Sequence, residues 1–345
     1  MKKLRILVLM HSSLVPPDDP GGLSEQQVEE LRTELDVIST LRAAGHEVRP
    51  LGILDSLSEL RATVRDWQPQ VCFNLLEEFA GVVAYDAHVV GLLELMRQHY
   101  TGCNPRGMML SRDKVLSKQI LAYHRIPTPL FTVFPRATKL KVPRRLRYPL
   151  FVKSATEDAS LGISKASLVD DEARLRERVQ FIHDQTKSDA LVEEYIEGRE
   201  LYVGVLGNER LTTLPVWEFS FGSMAGDGLA FATRKAKWDR KYKARHGIGA
   251  AAAEDLPEGT AQRIAVAAKR IFRALYMTGY ARMDFRMRPD GSLFALEANC
   301  NPMIASKEDF ARSAAAAGIA YPALLERIVT LGLNYRAQWR ELDNP

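Results

Sequence analysis

Residues 281–302 place charged side chains where a β-sheet usually buries apolar ones. The segment reads ARMDFRMRPDGSLFALEANCNP, two strand-like runs on either side of a Pro-Asp-Gly turn signal. Because strand side chains alternate between faces, Arg282 and Asp284 share one face of the first run. By the same rule, Glu297 and Asn299 share one face of the second run. The opposite face takes the apolar side chains of Met283, Phe285, Leu296 and Ala298. The pattern predicts a hairpin that gathers a guanidinium group and several oxygen donors in one patch.

Such a patch suits a phosphate ligand and a divalent cation. Asp284, Glu297 and Asn299 offer the hard oxygen ligands that hold Mg²⁺, with phosphate oxygens completing the octahedron. Arg282 can meet either a phosphate or a developing oxyanion. The alternative is an Arg-Glu ion pair on a solvated sheet face, which leaves Asn299 unexplained.

Length and composition bound the class of protein. A chain of 345 residues exceeds what one hydrophobic core usually supports, so two or three packed units are expected. Its 46% hydrophobic and 26% charged residues exclude a disordered or fibrous chain. No apolar run is long enough for a membrane span, and MKKLRILVLM is interpreted as a first strand. Three scattered cysteines, without metal or disulfide spacing, favour a reducing, cytoplasmic location.

The first hundred residues alternate strand and helix patterns. Strands are predicted at 4–10, 46–51 and 70–75, and helices at 24–44 and 57–66. This order is typical of a parallel, doubly wound sheet. An N-terminal α/β unit over 1–105 is therefore predicted.

The rest of the chain has an α+β pattern. Residues 106–206 are assigned to a second unit, whose first helix is predicted to be capped by Ser111. Its strands are predicted at 148–155 and, as two strands about a Glu-Gly turn, at 191–206. A third unit, 207–345, contains a helix over 258–276, the hairpin and a terminal helix from Tyr321. The class is α/β (α+β) with three domains.

Two lysines lie where a bare cation is unfavourable. Lys153 follows an apolar run, where burial is costly unless an anion pairs with it. Lys114 lies in the first turn of a predicted helix, where the helix dipole disfavours a cation unless an anionic ligand is present. For both, a solvated lysine is the alternative.

Small and acidic residues between these strands are weaker signals. Ser160 and Gly162 permit close approach of the backbone to a phosphate. Glu193, Glu194 and Glu200 surround a strand-to-strand connection that can serve a nucleobase and a ribose. The alternative for the acids is a hairpin with a solvated tip. The net charge of +4 is mild, and nucleic-acid binding would depend only on modest basic clusters.

Taken together, five ordered blocks resemble the ATP-grasp superfamily, and within it the D-alanine-D-alanine ligase family, along most of the chain. They are YTGCNPRGMMLSRDKVLSKQIL, PLFVKSATEDASLGISK, LVEEYIEGREL, GYARMDF and LEANCNP. The resemblance implies an ATP-grasp fold of three domains, with ATP held between the second and third.

The resemblance also implies roles for individual residues. Arg282 would act at the reacting centre together with Lys153, and Glu200 would bind the ribose. Two Mg²⁺ ions, or Mn²⁺, would be held by Asp284, Glu297 and Asn299. The remaining ATP contacts would come from Lys114, Lys153, Ser160, Gly162, Glu193, Glu194, Ile196 and Lys237.

The positions expected to bind substrate depart from the family pattern. Its Gly-Gly-x-Ser-x-Glu opening becomes GGLSEQ, with Gln26 at the acidic place and Glu25 beside it. Its His-Gly pair becomes Glu77-Glu78, and a tyrosine becomes Trp238. The family's Pro-Gly-Met-Thr run is replaced by the four residues that begin with Pro302 and Met303. The Ser-Leu pair that follows in the family is replaced by Glu308 and Asp309. A carboxylate on the acceptor would be repelled by two acids, so an amine other than D-alanine is predicted.

The implied activity is an ATP-dependent carboxylate-amine ligase that works through an acyl phosphate. A genuine D-alanine-D-alanine ligase is the second interpretation, and an ATP-binding phosphotransfer or regulatory protein the third. Small-molecule carboxylates and amines are the expected partners, without nucleic acid or membrane. A homodimer is implied by the resemblance.

Overall fold

The computed structural model describes residues 2–136, 138, 141–156, 163–222 and 240–343. Its first unit is a parallel sheet of three strands, ordered β2-β1-β3. They are β1 (Arg5–His11), β2 (Glu47–Ile53) and β3 (Val71–Asn74). Residues 6–10 of β1 are fully buried, with alternate side chains packed into two separate apolar clusters. A continuous apolar strand covered on both faces is typical of a doubly wound sheet, so this prediction is confirmed.

Four helices accompany this sheet: α1 (Glu25–Glu30), α2 (Arg32–Ala43), α3 (Ser58–Trp67) and α4 (Asp86–Leu95). The single helix predicted over 24–44 is wrong, because the helix is interrupted at Leu31, where φ is −98° and ψ is 10°. The apolar spacing continues across this residue, so periodicity alone could not show the break. Ser24 caps α1 through a capping box with Gln27.

The next two helices correct a predicted cap. They are α5 (Pro105–Arg112) and α6 (Lys114–Tyr123). Ser111 lies inside α5 and donates to the Met108 carbonyl, so it is not a cap. Asp113 caps α6 instead, accepting from the backbone N–H groups of Val115 and Leu116. Both residue types are good caps, and the helix break at Asp113 decides between them.

The second unit is an antiparallel sheet of four strands, ordered β4-β7-β5-β6. The strands are β4 (Phe131–Phe134), β5 (Leu150–Ser154), β6 (Leu168–Val169) and β7 (Ala190–Glu194). Helix α7 (Glu172–Thr186) packs its apolar side against this sheet, burying Leu175, Val179 and Ile182.

The third unit is a six-stranded antiparallel sheet, ordered β11-β10-β8-β12-β13, with β9 beside β8. The strands are β8 (Arg199–Leu206), β9 (Thr212–Thr213), β10 (Trp217–Ser220), β11 (Gly249–Ala252), β12 (Tyr280–Met287) and β13 (Leu293–Cys300). Its helices are α8 (Arg240–His246), α9 (Thr260–Ala274), α10 (Asp309–Ala316), α11 (Tyr321–Asn334) and α12 (Gln338–Asp343).

The connection between β7 and β8 passes from one sheet to another. The interpretation of residues 191–206 as a hairpin with a solvated tip is therefore wrong, since β7 pairs with β5 and β8 pairs with β12. Gly198 makes this possible with φ of +136°, and its Cα lies so close to Met287 that a Cβ would be 2.0 Å from the Met287 carbonyl oxygen. By sheet membership, β8 belongs with the third unit rather than the second.

Within the described residues, no single helix is long and apolar enough to cross a membrane. The pair α10 and α11 passes that test only together and is bent by 103°. Apolar side chains of both helices pack in the cluster that covers one face of the first sheet.

Candidate active site

One large cavity lies between the two antiparallel sheets and the carboxyl ends of the first sheet. Its volume is about 790 Å³, large enough for a nucleotide with a second substrate. All three units contribute to its wall. The predicted site residues that line it are Glu77, Lys114, Lys153, Glu193, Glu194, Ile196, Glu200, Arg282, Asp284, Glu297, Asn299, Met303, Glu308 and Asp309.

Of the other predicted site residues, two lie away from this cavity and four fall where the structure is not described. Glu25 and Gln26 lie exposed in α1, where Gln26 donates to Glu30, and neither lines the wall. Ser160, Gly162, Lys237 and Trp238 lie outside the described residues.

The hairpin gathers its polar side chains as the alternation predicts. Asp284 is directly opposite Glu297, and Arg282 is directly opposite Asn299. Arg282 donates to both oxygens of Asp284, at 2.7 and 2.9 Å, and the Asn299 amide donates to Asp284 at 3.1 Å. The fourth side chain, Glu297, has an oxygen 3.3 Å from Lys114 Nζ.

The ion pair with Asp284 keeps Arg282 charged. Burial by itself would lower the pKa of Arg282, but the charge and hydrogen bonds of Asp284 outweigh it and raise the pKa above its ordinary value. The guanidinium group also lies over the Tyr202 ring, 4.6 Å from its centroid. Arg282 is thus a permanent, oriented cation at the cavity wall.

A β-bulge changes one predicted face. The pairing of β12 with β13 shifts between Asp284 and Phe285, so that Phe285 is opposite Ala295. Leu296 is the extra residue and lines the cavity, although strict alternation assigns it to the opposite face. The prediction for Leu296 is therefore wrong, because alternation presumes an uninterrupted ladder.

Lys153 takes part in a buried charge cluster. Its Nζ is 2.8 Å from one Glu193 oxygen, and Lys118 Nζ is 2.8 Å from the other. Burial would raise the pKa of Glu193, but the two lysines outweigh it and lower the pKa. Burial lowers the pKa of Lys118, with Glu193 opposing that effect. The cluster joins α6, β5 and β7 at the cavity wall, where its two lysines and one glutamate leave one excess positive charge.

Glu200 is also held by charge and hydrogen bonding. Arg286 donates to one of its oxygens at 2.8 Å, and the Tyr202 hydroxyl donates to the other at 2.8 Å. Glu200 is opposite Arg286 in the pairing of β8 with β12, and Tyr202 is opposite Asp284. A continuous row of polar side chains therefore runs along one face of the six-stranded sheet, from Glu200 to Asp284 and Asn299.

The oxygen donors of the hairpin fit a magnesium ion. Among the described residues, no three His, Cys, Asp or Glu side chains are grouped to hold a metal. Asp284 and Glu297 supply two carboxylates and Asn299 an amide oxygen, which suits an ion that takes its remaining ligands from phosphate and water. The cations now bound to these carboxylates, Arg282 and Lys114, show that the site favours positive charge.

Sequence reasoning missed several polar residues of this region, among them Lys118, Tyr202 and Arg286 in the hydrogen-bonded networks and Arg112 and Lys243 in the cavity wall. Alternation could have found Arg286, which follows Arg282 and Asp284 at the same spacing of two. It could also have found Tyr202, two residues after Glu200 on the same strand. Lys118 lies one helical turn after Lys114, a spacing that puts both on one helix face.

Comparison with known proteins agrees with this arrangement. The family model described as D-ala D-ala ligase C-terminus matches residues 120–330. The D-alanine–D-alanine ligase of Anaeromyxobacter sp. is 32% identical over 317 residues, covering 90% of this chain and 94% of that protein. The uncharacterized protein y4sG of Sinorhizobium fredii is 32% identical over 301 residues, covering 85% of each.

Solved structures show the same fold. The D-alanine–D-alanine ligase from Bacillus anthracis complexed with ATP has a TM-score of 0.73 at 23% identity, over 99% of this chain and 100% of that one. The ligase from Coxiella burnetii has a TM-score of 0.72 at 20% identity. With the family model spanning more than half of the sequence, the chain belongs to the D-alanine–D-alanine ligase family of ATP-grasp ligases.

Proposed function

We propose that this protein is an ATP- and magnesium-dependent ligase that joins a carboxylate to an amine other than D-alanine. The observation that carries the proposal is the cavity itself. It brings Lys114 and Lys153 together with the Arg282–Asp284 pair and the oxygen donors of β13. This set can bind a triphosphate and stabilise the charge that develops when an acyl group is activated.

The reaction divides into two balanced steps. An oxygen of the substrate carboxylate attacks the γ-phosphorus, the bond to the bridging oxygen breaks, and ADP leaves with an acyl phosphate formed. The amine nitrogen then attacks the acyl carbon, the carbon–oxygen bond to phosphate breaks, and inorganic phosphate leaves while the nitrogen releases its proton to solvent. Lys114 and Lys153 offset phosphate charge, and Arg282 is the cation for the tetrahedral oxyanion. Magnesium, when bound at Asp284, Glu297 and Asn299, supplies charge neutralisation at the phosphates.

The acceptor end of the cavity supports a changed specificity. Glu308 and Asp309 line the wall, where a carboxylate of the acceptor would meet two acidic side chains, one of them, Asp309, offset in part by Arg312 at 3.8 Å. Glu77 and Glu78 add acidic side chains to the same cavity. A neutral or cationic amine without a nearby carboxylate is therefore the favoured acceptor.

The second candidate is a D-alanine–D-alanine ligase, since several relatives near 30% identity carry that name. Rearrangement of the loop before α10 would be needed to accept a carboxylate there. In either case we propose a cytoplasmic enzyme, and a homodimer by analogy with the family. An ATP-binding protein that forms no amide is the third possibility, and it predicts no dependence on amine.

ADP release, measured with D-alanine alone and with a panel of amines and amino acids, tests the proposal. We expect turnover with an amine of the panel and little with D-alanine. Asp284→Asn should abolish metal-dependent turnover, whereas Asp290→Asn, at the exposed turn of the same hairpin, should retain it. Robust synthesis of D-alanyl-D-alanine would refute the changed specificity and leave the ligase assignment intact.

A further inference from the structure

Arg286 is a buried cation in the cavity wall that has no role in the reaction described above. It lies on β12, two residues beyond Asp284 and four beyond Arg282, on the same face of the sheet. Only 3% of its surface is exposed, although it lines the cavity. A guanidinium group in such a position is costly to desolvate unless its partners are well placed.

Those partners lie on both sides of the connection between the two sheets. One terminal nitrogen of Arg286 donates to the Gly198 carbonyl at 2.8 Å, and the other to Glu200 at 2.8 Å. Its guanidinium also lies near the rings of Tyr195, at 5.7 Å, and Phe221, at 5.5 Å. Arg286 therefore fixes Glu200 and the connection 195–198, which joins β7 of the four-stranded sheet (the small sheet) to β8 of the six-stranded one (the large sheet).

Glu200 is held in one orientation by two donors. Tyr202 binds one carboxylate oxygen and Arg286 binds the other, each at 2.8 Å. A carboxylate with both oxygens anchored presents its remaining lone pairs in fixed directions. Such a group can accept from a ligand hydroxyl without first losing its own conformational freedom.

Stability alone does not explain this arrangement. Replacing a buried ion pair by apolar residues of similar volume is often neutral or stabilising, so the pair is weak evidence for a purely structural role. Its position at the cavity wall, next to a carboxylate able to bind hydroxyl groups, suggests ligand recognition instead.

We propose that Arg286 is a positioning residue for nucleotide recognition: it orients Glu200 and the Gly198 connection so that the Glu200 carboxylate binds the ribose hydroxyls. This inference depends on the proposed use of ATP at the cavity. It assigns to Arg286 an effect on nucleotide affinity, and none on the chemical steps at Arg282. Because Arg286 already orders the connection in the free protein, the nucleotide does not bear the free-energy cost of ordering it on binding.

The test compares Arg286→Met and Arg286→Lys with the wild type, using ATP, 2′-deoxy-ATP and 3′-deoxy-ATP. The proposal expects the wild type to prefer ATP to at least one deoxy nucleotide. In Arg286→Met, KM for ATP should rise about tenfold, while KM for that deoxy nucleotide changes little and kcat stays within a factor of about two. Arg286→Lys keeps the charge but reaches one acceptor at a time, so its KM should be intermediate.

Control measurements distinguish a loss of folding in the Arg286 variants from a displacement of Glu200 in a folded protein. Arg288→Met, on a partly exposed side chain just past β12 that does not line the cavity, should leave every constant unchanged. Calorimetric titration with ADP and thermal melting should show weaker ADP binding in Arg286→Met with the folded state retained. If that variant does not fold, Arg286→Lys alone decides, through its ratio of KM for ATP to KM for the deoxy nucleotide.

The outcomes distinguish the two proposals. Equal loss of affinity for ATP and both deoxy nucleotides, a fall in kcat at unchanged KM, or a wild type that does not discriminate would each overturn the role of Arg286. In all three cases the proposed function would stand. If the wild type neither binds ADP nor hydrolyses ATP with any substrate, the proposed function itself fails.

Discussion

Removal of the Glu193 charge should destabilise the small sheet far more than removal of one of its lysine partners. Glu193 is only 4% exposed and lies 2.8 Å from both Lys118 and Lys153. In Glu193→Gln, two buried ammonium groups would lose their counter-charge. In Lys118→Met, the remaining Lys153 would still balance Glu193, so one charge pair would persist.

The distances set the size of the effect. At 2.8 Å, each charge pair is worth about 6 kcal/mol at an effective dielectric constant of about 20, before the cost of desolvation is subtracted. Removing one partner of a buried pair typically costs about 3–5 kcal/mol, because an uncompensated charge stays buried. We expect that cost for Glu193→Gln and about 1 kcal/mol or less for Lys118→Met.

Hydrogen exchange can assign the loss of stability to the right part of the chain. Peptides that cover β5 and β7 should exchange at least about a hundredfold faster in Glu193→Gln than in the wild type. Peptides from β1 serve as the internal control and should keep their rates. Wild-type exchange of β5 and β7 in Glu193→Gln, or equal effects of the two substitutions, would refute the charge-balance argument.

Three further predictions concern other parts of the chain. Burial, together with Glu77, raises the pKa of Glu34 from 4.5 to about 7. Between these two pH values the folded state keeps a proton that the unfolded chain has released. The free energy of unfolding should therefore fall by about 3 kcal/mol as pH rises from 4.5 to 7, and melting at pH 5 and pH 8 should show most of this fall abolished in Glu34→Gln. Gly198→Ala should lower the melting temperature and raise KM for ATP through its clash with Met287, whereas Gly247→Ala, with positive φ but open space, should not affect KM. Replacing Glu308 and Asp309 by Ser and Leu should lower KM for amines that carry a carboxylate but not for cationic amines, and unchanged ratios would contradict the repulsion argument.

Local rules predicted the parts of the fold in which one periodicity acts alone. The alternating face of the hairpin put Arg282, Asp284, Glu297 and Asn299 in one patch, and the structure brings these side chains together. The buried strand at the N-terminus was equally predictable, because a continuous apolar run indicates a strand buried on both faces even when its neighbours are unknown. Neither inference required knowledge of distant residues.

Sequence rules failed where tertiary packing overrides a local pattern. Leu296 faces the cavity only because a bulge shifts the ladder, and nothing in the local sequence marks that shift. Residues 191–206 have the pattern of a hairpin, yet β7 pairs with β5 and β8 pairs with β12. The partners of β8 lie far along the chain, since Leu206 pairs with Tyr280 and Arg199 with Met287. The break at Leu31 likewise leaves the apolar spacing unchanged.

Charge partners were the least predictable part of the site. Lys118 and Glu193 lie 75 residues apart, and their ion pair exists only because α6 packs beside the small sheet. The pairing of Arg286 with Glu200 depends in the same way on β8 lying next to β12. A single sequence shows each charged residue but not the oppositely charged partner that offsets the free-energy cost of burying it.

Transfer of isotope from the donor carboxylate to phosphate tests the central claim most directly. The donor that supports turnover would be labelled with ¹⁸O in both oxygens of its carboxylate and incubated with the unlabelled amine, ATP and Mg²⁺. The released phosphate would then be analysed by mass spectrometry. An acyl phosphate formed at the Arg282–Asp284 patch predicts one ¹⁸O atom in the phosphate for each amide formed, with neither product in Asp284→Asn. Unlabelled phosphate in amounts equal to the amide, or normal turnover in Asp284→Asn, would contradict it.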